Sequence, residues 1–431
     1  MKTVIMAGGR GTRISAVAPD IPKPMIRIND KPVLQYIIES IRDQGFTDFI
    51  ITVSYLGHII EDYFGDGSRF GVKITYFHEE SPLGNAGALY YLKDQLAEDF
   101  LLLNGDAVFD IDFNRFIEFH KANGGTATIF THPNSHPYDS GLIIADSDHR
   151  VTKWLAKEDE RPSYYKNRVN AGVHILSPKA LKTIDIADKD HKVDLDRNIL
   201  KPLCKTGELY CYDSPEYVKD MGTPERLKAV LNDVREGKVS ARNLKNKQKA
   251  IFLDRDGTIN KYVGFLTDID DFELLPGAAE AIRKINDSGY LAIVVTNQPV
   301  IARGEVTVPQ LNEIHCKMDT LLGNEGAFID ALYYCPHHPD SGFPGEIPEL
   351  KFKCECRKPN PGMLLAAAKD FNIDLKNSWI VGDGKNDVLA GLNAGVRPIM
   401  ISENNYDNIK NVQSLLEAVD LILSEDAASG K

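Results

Sequence analysis

Two carboxylates one residue apart, Asp254 and Asp256, follow the apolar run at residues 250–253. At the end of a buried strand such a pair shares one face, repels itself, and needs a cation or a proton to be tolerated. It suits Mg²⁺ and a phosphate, one carboxylate acting as nucleophile and the other as acid and base. A polar turn after a strand would explain a lone Asp-x-Asp, but three further pieces follow in order. Thr296 and Asn297 close the apolar run 291–295 and offer a hydroxyl and an amide to a phosphate oxygen. Lys358 supplies a cation, and Asp383 offers a second carboxylate to Mg²⁺ after the run 378–381, with Asp387 one helical turn on. Each alone is common at helix caps. Together they point to chemistry at phosphorus.

A second constellation opens the chain. Gly8, Gly9, Arg10, Gly11, Thr12 and Arg13 follow the strand-like run 3–7. Glycines let backbone N–H groups close around phosphates, and the two arginines add charge. Neither the dinucleotide pattern Gly-x-Gly-x-x-Gly nor the Lys-Ser/Thr of a P-loop is present. Pro22-Lys23-Pro24-Met25, Glu79 with Pro82-Leu83-Gly84, Asn104-Gly105-Asp106 and Asp220-Met221-Gly222-Thr223-Pro224 continue the series.

A third group is of another kind. Cys335-Pro336-His337 and Cys354-Glu355-Cys356 bracket a loop rich in proline and glycine. Three thiolates and an imidazole at these spacings match a closed tetrahedral Zn²⁺ site of structural type. The Cys-x-His spacing favours His337 over His338. Zinc there would pin Arg357 and Lys358, which follow the last cysteine directly.

These residues need elements to hold them. The chain has 431 residues, enough for two domains, with 43% hydrophobic and 26% charged residues, ordinary for a globular protein. No apolar run is long enough to span a bilayer and no signal peptide is read, so a cytoplasmic setting without membrane attachment is expected. A net charge of −12 argues against nucleic acid as a partner. In the first half, strand-like runs at 49–53, 72–76 and 100–103 alternate with helical spacing at 32–44 and 84–96. In the second, strands at 250–254, 290–295 and 397–401 alternate with helices near 277–288 and 308–322. Both halves therefore read as α/β layers, in which ligands sit beyond the carboxyl ends of strands. The expected division is a first domain at 1–235, a polar basic linker at 236–249, and a second domain at 250–431.

The second-half series resembles the haloacid-dehalogenase superfamily of phosphatases. That resemblance implies a Rossmannoid fold with a structural zinc loop. It also implies Asp254 as nucleophile, Asp256 as acid and base, and Mg²⁺ held by Asp254, Asp383 and the backbone carbonyl of Asp256. Thr296-Asn297-Gln298, Ile301-Ala302-Arg303-Gly304 and the segments 333–339 and 356–363 are similar to the heptose 1,7-bisphosphate phosphatases. In that branch the C7 phosphate is removed, and Arg303 and Arg357 would contact the retained part of the substrate. Pro299-Val300 and Gly384 depart from its pattern.

The first-half series resembles the nucleoside-diphosphate-sugar pyrophosphorylases, which implies a Rossmann-like fold with a GT-A-like mixed sheet. There Asp106 and Asp220 would hold Mg²⁺, Lys23 and Arg13 would neutralise the triphosphate, and Glu79 and Gly84 would lie by the base. Lys157 and Asn170 match contacts to the sugar phosphate, while Ala156 replaces the family's usual Glu. The motifs look most like the heptose-1-phosphate guanylyltransferases. The two resemblances imply consecutive steps on small phosphorylated sugars, with association of several copies of the chain left open.

Overall fold

The computed structural model describes residues 1–9, 20–184, 192–404 and 409–429. The chain packs as two units. One comprises Met1–His132, Ile143–Trp154 and Asn170–Asn243; the other comprises Pro133–Leu142, Leu155–Val169 and Leu244–Lys431.

In the first unit the strand Thr3–Met6 runs parallel between Asp48–Val53 and Phe100–Asn104. Lys73–His78 extends that parallel side. Strands covered on both faces read as continuous apolar runs, which is why these were visible in the sequence. Beyond Phe100–Asn104 the long strand Val169–Leu176 runs antiparallel, so the sheet is mixed. A separate ribbon pairs Ala107–Asp110 with Tyr217–Asp220 antiparallel, Asp220 lying opposite Ala107. The helix Val33–Arg42 buries Val33, Leu34, Ile37, Ile38 and Ile41, the stripe of a helix lying on a sheet.

The helical spacing at 84–96 yields less helix than expected: Ala88–Leu92 and then a 3₁₀ turn at Lys93–Gln95. The cause lies at Gly84, whose φ of +84° is left-handed. A Cβ there would stand 2.4 Å from the Val193 carbonyl oxygen. That carbonyl also accepts the Ala86 N–H at 3.1 Å, and the Val193 N–H reaches the Leu83 carbonyl at 2.9 Å. Backbone contact with residue 193 has displaced the first helical turn.

The second unit is a six-stranded parallel sheet. Its order is Ala331–Cys335, Tyr290–Asn297, Lys249–Leu253, Trp379–Gly382, Arg397–Ile401 and Lys410–Val412. Alternate residues of the central strand serve two different cores. Ile251 and Leu253 pack with Ile282, Ile285, Met318 and Val419. Ala250 and Phe252 pack with Met363, Leu364, Ala367 and Ala390 on the opposite face. Helices therefore cover both faces of the sheet. Leu253 pairs with both Val294 and Val381, which brings the ends of three neighbouring strands to one rim.

Residues 236–249, expected to be a linker, are largely exposed but carry local order. They hold a helical turn at Lys238–Ala241, and Asn243, Leu244 and Gln248 are buried. The Asn372 side-chain amide donates to the carbonyls of Leu244, Lys245 and Asn246 at 3.0–3.3 Å. A polar, aperiodic sequence hides this order because backbone carbonyls carry it. Among the described residues no helix is long and apolar enough to cross a membrane.

Gly84→Ala should cost the first unit about 1–3 kcal/mol, from a strained φ and overpacking against Val193. Thermal unfolding measures it. An unchanged melting temperature would mean that the segment around Val193 yields freely.

Candidate active sites

The rim of the parallel sheet gathers the first constellation. Asp254 follows the central strand and donates its backbone N–H to the Val381 carbonyl at 2.9 Å. Asp383 follows the neighbouring strand, and Asp387 lies in the first turn of the helix Lys385–Ala394. Each offers a carboxylate oxygen, and the three oxygens lie within 4.8 Å of one another. Lys358, only 2% exposed, donates to Asp254 Oδ1 at 2.8 Å and also pairs with Asp387. Asn297 grips the backbone of that lysine reciprocally, giving its amide to the Lys358 carbonyl and taking the Lys358 N–H, each at 3.0 Å.

The electrostatics follow from this crowding. Burial first, and then repulsion from Asp387, push the Asp254 carboxyl up to about 7. The same causes push Asp383 up to about 6. Burial works against the Lys358 ammonium, yet Asp254 and Asp387 overcome it and hold its pKa above the usual lysine range. Three carboxylates against one ammonium leave a surplus of negative charge, and a hard divalent cation with oxygen ligands fits that donor set. Gly257, with φ of +80°, admits Asp383 to the cluster: a Cβ there would lie 2.0 Å from Asp383 Oδ2.

The Asp256 side chain stands apart from the carboxylate cluster. It is held by Arg255, by Asn260 at 3.0 Å and by Gln298 at 2.9 Å. The Gln298 amide also reaches Thr296 Oγ1 at 2.9 Å. Motif spacing gave no sign of Arg255, Gln298 or His315 in this network, because their meeting depends on three separate elements.

The four cysteine and histidine residues converge. Cys335, Cys354 and Cys356 have Sγ atoms 3.3–3.5 Å apart. His337 Nδ1 lies 3.3 Å from Cys356 Sγ and 3.6 Å from Cys335 Sγ. No disulfide is formed. These separations are close to the edges of a tetrahedron with metal–sulfur bonds of about 2.3 Å, so the set fits a soft tetrahedral cation. His338 turns instead to the Asp340 carbonyl. Arg357 donates to the His337 carbonyl at 3.2 Å, tying the loop to the residue beside Lys358.

Arg303 lies close to two rings, 4.0 Å from the Phe265 centroid and 4.4 Å from that of Phe343, and pairs with Glu305 at 2.6 Å.

In the first unit a cavity of about 730 Å³ collects Gly8, Gly9, Lys23, Glu79, Gly84 and Asp106. Arg10, Gly11, Thr12 and Arg13 lie outside the described residues. Lys23 donates to Asp106 Oδ2 at 3.1 Å. Burial raises the pKa of Glu79. Thr52, Ser54 and Lys192 also line the cavity. The first two end the strand beside Thr3–Met6, a position that sheet topology could have marked; nothing in the sequence marks Lys192. Asp220 is brought near Asp106 through the backbone, since the Met221 N–H bonds the Asp106 carbonyl at 3.3 Å. Its carboxylate is held by Arg226 at 2.7 Å, and Asp220 is not part of the cavity wall. Asn170 is likewise outside that wall, its side-chain oxygen 3.1 Å from His174 Nε2. Lys157 falls within the second unit, where it pairs with Asp139.

Comparison with known proteins matches a different family to each half of the sequence. The nucleotidyl transferase family model matches residues 2–237, and a HAD-hydrolase-like model matches residues 355–420. The D-glycero-β-D-manno-heptose-1,7-bisphosphate 7-phosphatase of Yersinia pestis is 44% identical over 147 residues, 34% of this chain and 76% of the relative. The enzyme of the same name from Pasteurella multocida is 40% identical over 176 residues, 40% of this chain and 93% of its own. Among solved structures, HddC from Yersinia pseudotuberculosis complexed with GMP-PN is 29% identical, covering 54% of this chain and 99% of that one, with a TM-score of 0.46. The chain thus belongs to the nucleotidyl transferase family and, through its C-terminal half, to the family of those phosphatases: a bifunctional fusion of a transferase and a phosphatase.

Proposed function

We propose that the second unit removes the C7 phosphate of D-glycero-D-manno-heptose 1,7-bisphosphate. The first would then transfer GMP from GTP to the resulting heptose 1-phosphate, giving GDP-heptose and pyrophosphate. The observation that carries the phosphatase reading is the meeting of Asp254, Asp383 and Asp387 with the buried Lys358 at one sheet rim. The heptose assignment draws on the 7-phosphatases to which this half is similar. We assign the transferase to residues 1–235 and the phosphatase to 250–431, joined by 236–249.

In the phosphatase, an Asp254 oxygen attacks phosphorus and forms an aspartyl phosphate, while the sugar oxygen leaves with a proton from Asp256. Asp256 then takes a proton from water as that water attacks the aspartyl phosphate, releasing inorganic phosphate and restoring Asp254. Lys358, Thr296 and Asn297 hold the phosphoryl oxygens, and Arg303 and Arg357 face the retained part of the sugar. Mg²⁺ on Asp254, Asp383 and the Asp256 carbonyl, beside Asp387, would offset the charge of nucleophile and phosphate. Uncatalysed monoester hydrolysis is slow enough that placed charges must remove about 20 kcal/mol or more of barrier.

In the transferase, an oxygen of the sugar 1-phosphate attacks the α-phosphorus of the nucleotide and pyrophosphate leaves. Gly8, Gly9, Arg10, Gly11 and Thr12 close on the triphosphate, Lys23 and Arg13 neutralise it, and Glu79 and Gly84 lie by the base. Asn170 takes the sugar phosphate. Mg²⁺ between Asp106 and Asp220 would lessen the repulsion between two anionic reactants. Zn²⁺ on Cys335, His337, Cys354 and Cys356 is structural, and its three thiolates suit a reducing cytoplasm.

Asp254→Asn should lower phosphate release more than about 10³-fold and leave pyrophosphate release intact, and Asp106→Asn should do the reverse. Parallel assays of both products on one preparation decide it; loss of both activities in either variant contradicts separate sites. Offered ATP, CTP, GTP and UTP with heptose 1-phosphate, the chain should release pyrophosphate fastest from GTP, and a faster rate with another nucleotide removes the guanine assignment. Metal analysis should find about one zinc per chain, and stripping it should lower the melting temperature of the phosphatase. A zinc-free chain that is folded and fully active would end the structural-zinc reading.

A further inference from the structure

Arg255 stands between the two carboxylates in sequence, and its side chain is fully buried. Its guanidinium gives Nη2 to Asp256 Oδ2 at 2.8 Å and Oδ1 at 2.9 Å, with Nε reaching Oδ1 at 3.2 Å. Nη2 also meets Gln298 Oε1 at 3.2 Å. On the far side Nη1 lies 3.2 Å from Nε2 of His315, which sits on the helix Val308–Asn324. The His315 ring is itself packed against Tyr334, with centroids 5.8 Å apart.

A guanidinium only donates, so the imidazole nitrogen it meets must be an unprotonated acceptor. Burial, and then the charge of Arg255, hold the His315 pKa well below the ordinary histidine range, so the ring stays neutral. The planar fork is thus fixed from both edges: the carboxylate and Gln298 on one, the imidazole on the other. Arg255 gripped only by Asp256 and Gln298 could tilt, and the carboxylate, which Asn260 and Gln298 each hold by a single bond, would lose its two-pronged partner. Proton delivery requires hydrogen-bond reach to the leaving oxygen, and errors of an ångström are costly there.

We propose that His315 is a positioning residue of the phosphatase, fixing the Arg255 guanidinium and, through it, the Asp256 carboxylate from which the leaving sugar oxygen is protonated. This rests on the reading of Asp256 as acid and base. The histidine never touches substrate; its contribution is the acceptor at Nε2.

The test compares His315→Gln, which keeps an acceptor oxygen, with His315→Leu, which has similar bulk and none, and uses Asp256→Asn as reference. All are made in the full chain. Phosphate release is followed from heptose 1,7-bisphosphate and from p-nitrophenyl phosphate, whose leaving group needs little protonation. The leucine variant should lose roughly ten- to a hundredfold in kcat on the sugar, less on the aryl ester, with KM within about threefold. The glutamine variant should recover most of the loss. Unchanged nucleotidyl transfer and zinc content in the leucine variant show that the chain is folded. If it does not fold, His315→Asn, too short to reach Arg255, takes its place with the same expectation. Equal kcat for the acceptor-bearing and acceptor-lacking variants, or a change confined to KM, overturns the assignment while Asp256 keeps its role. Full sugar activity in Asp256→Asn instead overturns the acid and base reading, and this inference with it.

Discussion

The contact between the Lys358 ammonium and the carboxylates of Asp254 and Asp387 constrains everything built around it in the second unit. A buried ammonium is costly, and so is each buried carboxylate; their attraction offsets those costs only when the geometry is held. The protein holds it from several directions. Asn297 clamps the lysine backbone on both sides of the peptide unit. The cysteine and histidine cluster ends one residue before Arg357, whose guanidinium returns to the His337 carbonyl. The central strand supplies Asp254, and its neighbour supplies Asp383. Even then the site carries more negative charge than one lysine balances, as the raised Asp254 and Asp383 carboxyls show. Such an arrangement is poor as a stabilising device. It makes sense as a place where a cation and a phosphate complete the charge balance.

The first unit handles its charges differently. Asp106 is more open, and its partner Lys23 comes from a short 3₁₀ turn rather than a strand end. Asp220 is occupied by Arg226 from the next helix, and Gly222 donates its N–H to the same carboxylate at 2.8 Å. A cation shared by Asp106 and Asp220, as proposed above, would compete with Lys23 and Arg226 for their oxygens. A triphosphate supplies the negative charge that draws such cations away. The phosphatase rim is held in one arrangement, whereas under the proposed reading the transferase carboxylates would exchange partners as the nucleotide arrives.

What the sequence disclosed follows from how each feature is encoded. Parallel strands covered on both faces are written as apolar runs, so Asp254, Thr296 and Asp383 could be placed at strand ends by inspection. Spacing alone marked Cys335, His337, Cys354 and Cys356. The edge of the first unit's sheet was harder, because strands such as Leu142–Ala145 and Val151–Leu155 are short and only partly apolar. Contacts between distant elements left no local trace. Arg255 stands between two carboxylates in sequence and His315 lies on the helix Val308–Asn324, far from it along the chain, so no local pattern joins them. Gly84 looked like an opening for a base, yet the position of its missing side chain is taken by the Val193 backbone.

Pro299 and Val300 show how a departure from a family pattern changes meaning once it is placed. In sequence their bulk falls where substrate would be gripped. In the structure Val300 is buried with Ile301, Val306 and Leu311 in a small apolar cluster of its own. The added volume at Val300 is therefore taken up within that cluster. In the same segment the Arg303 guanidinium lies against Phe265 and Phe343 and pairs with Glu305. Rings against a guanidinium limit its orientation, which favours planar, bidentate contact with an anion over diffuse attraction. Under the proposed reading, in which Arg303 faces the retained part of the sugar, discrimination between sugars would rest on that arginine and the rings beside it. A change at Pro299 or Val300 would then act by shifting those groups.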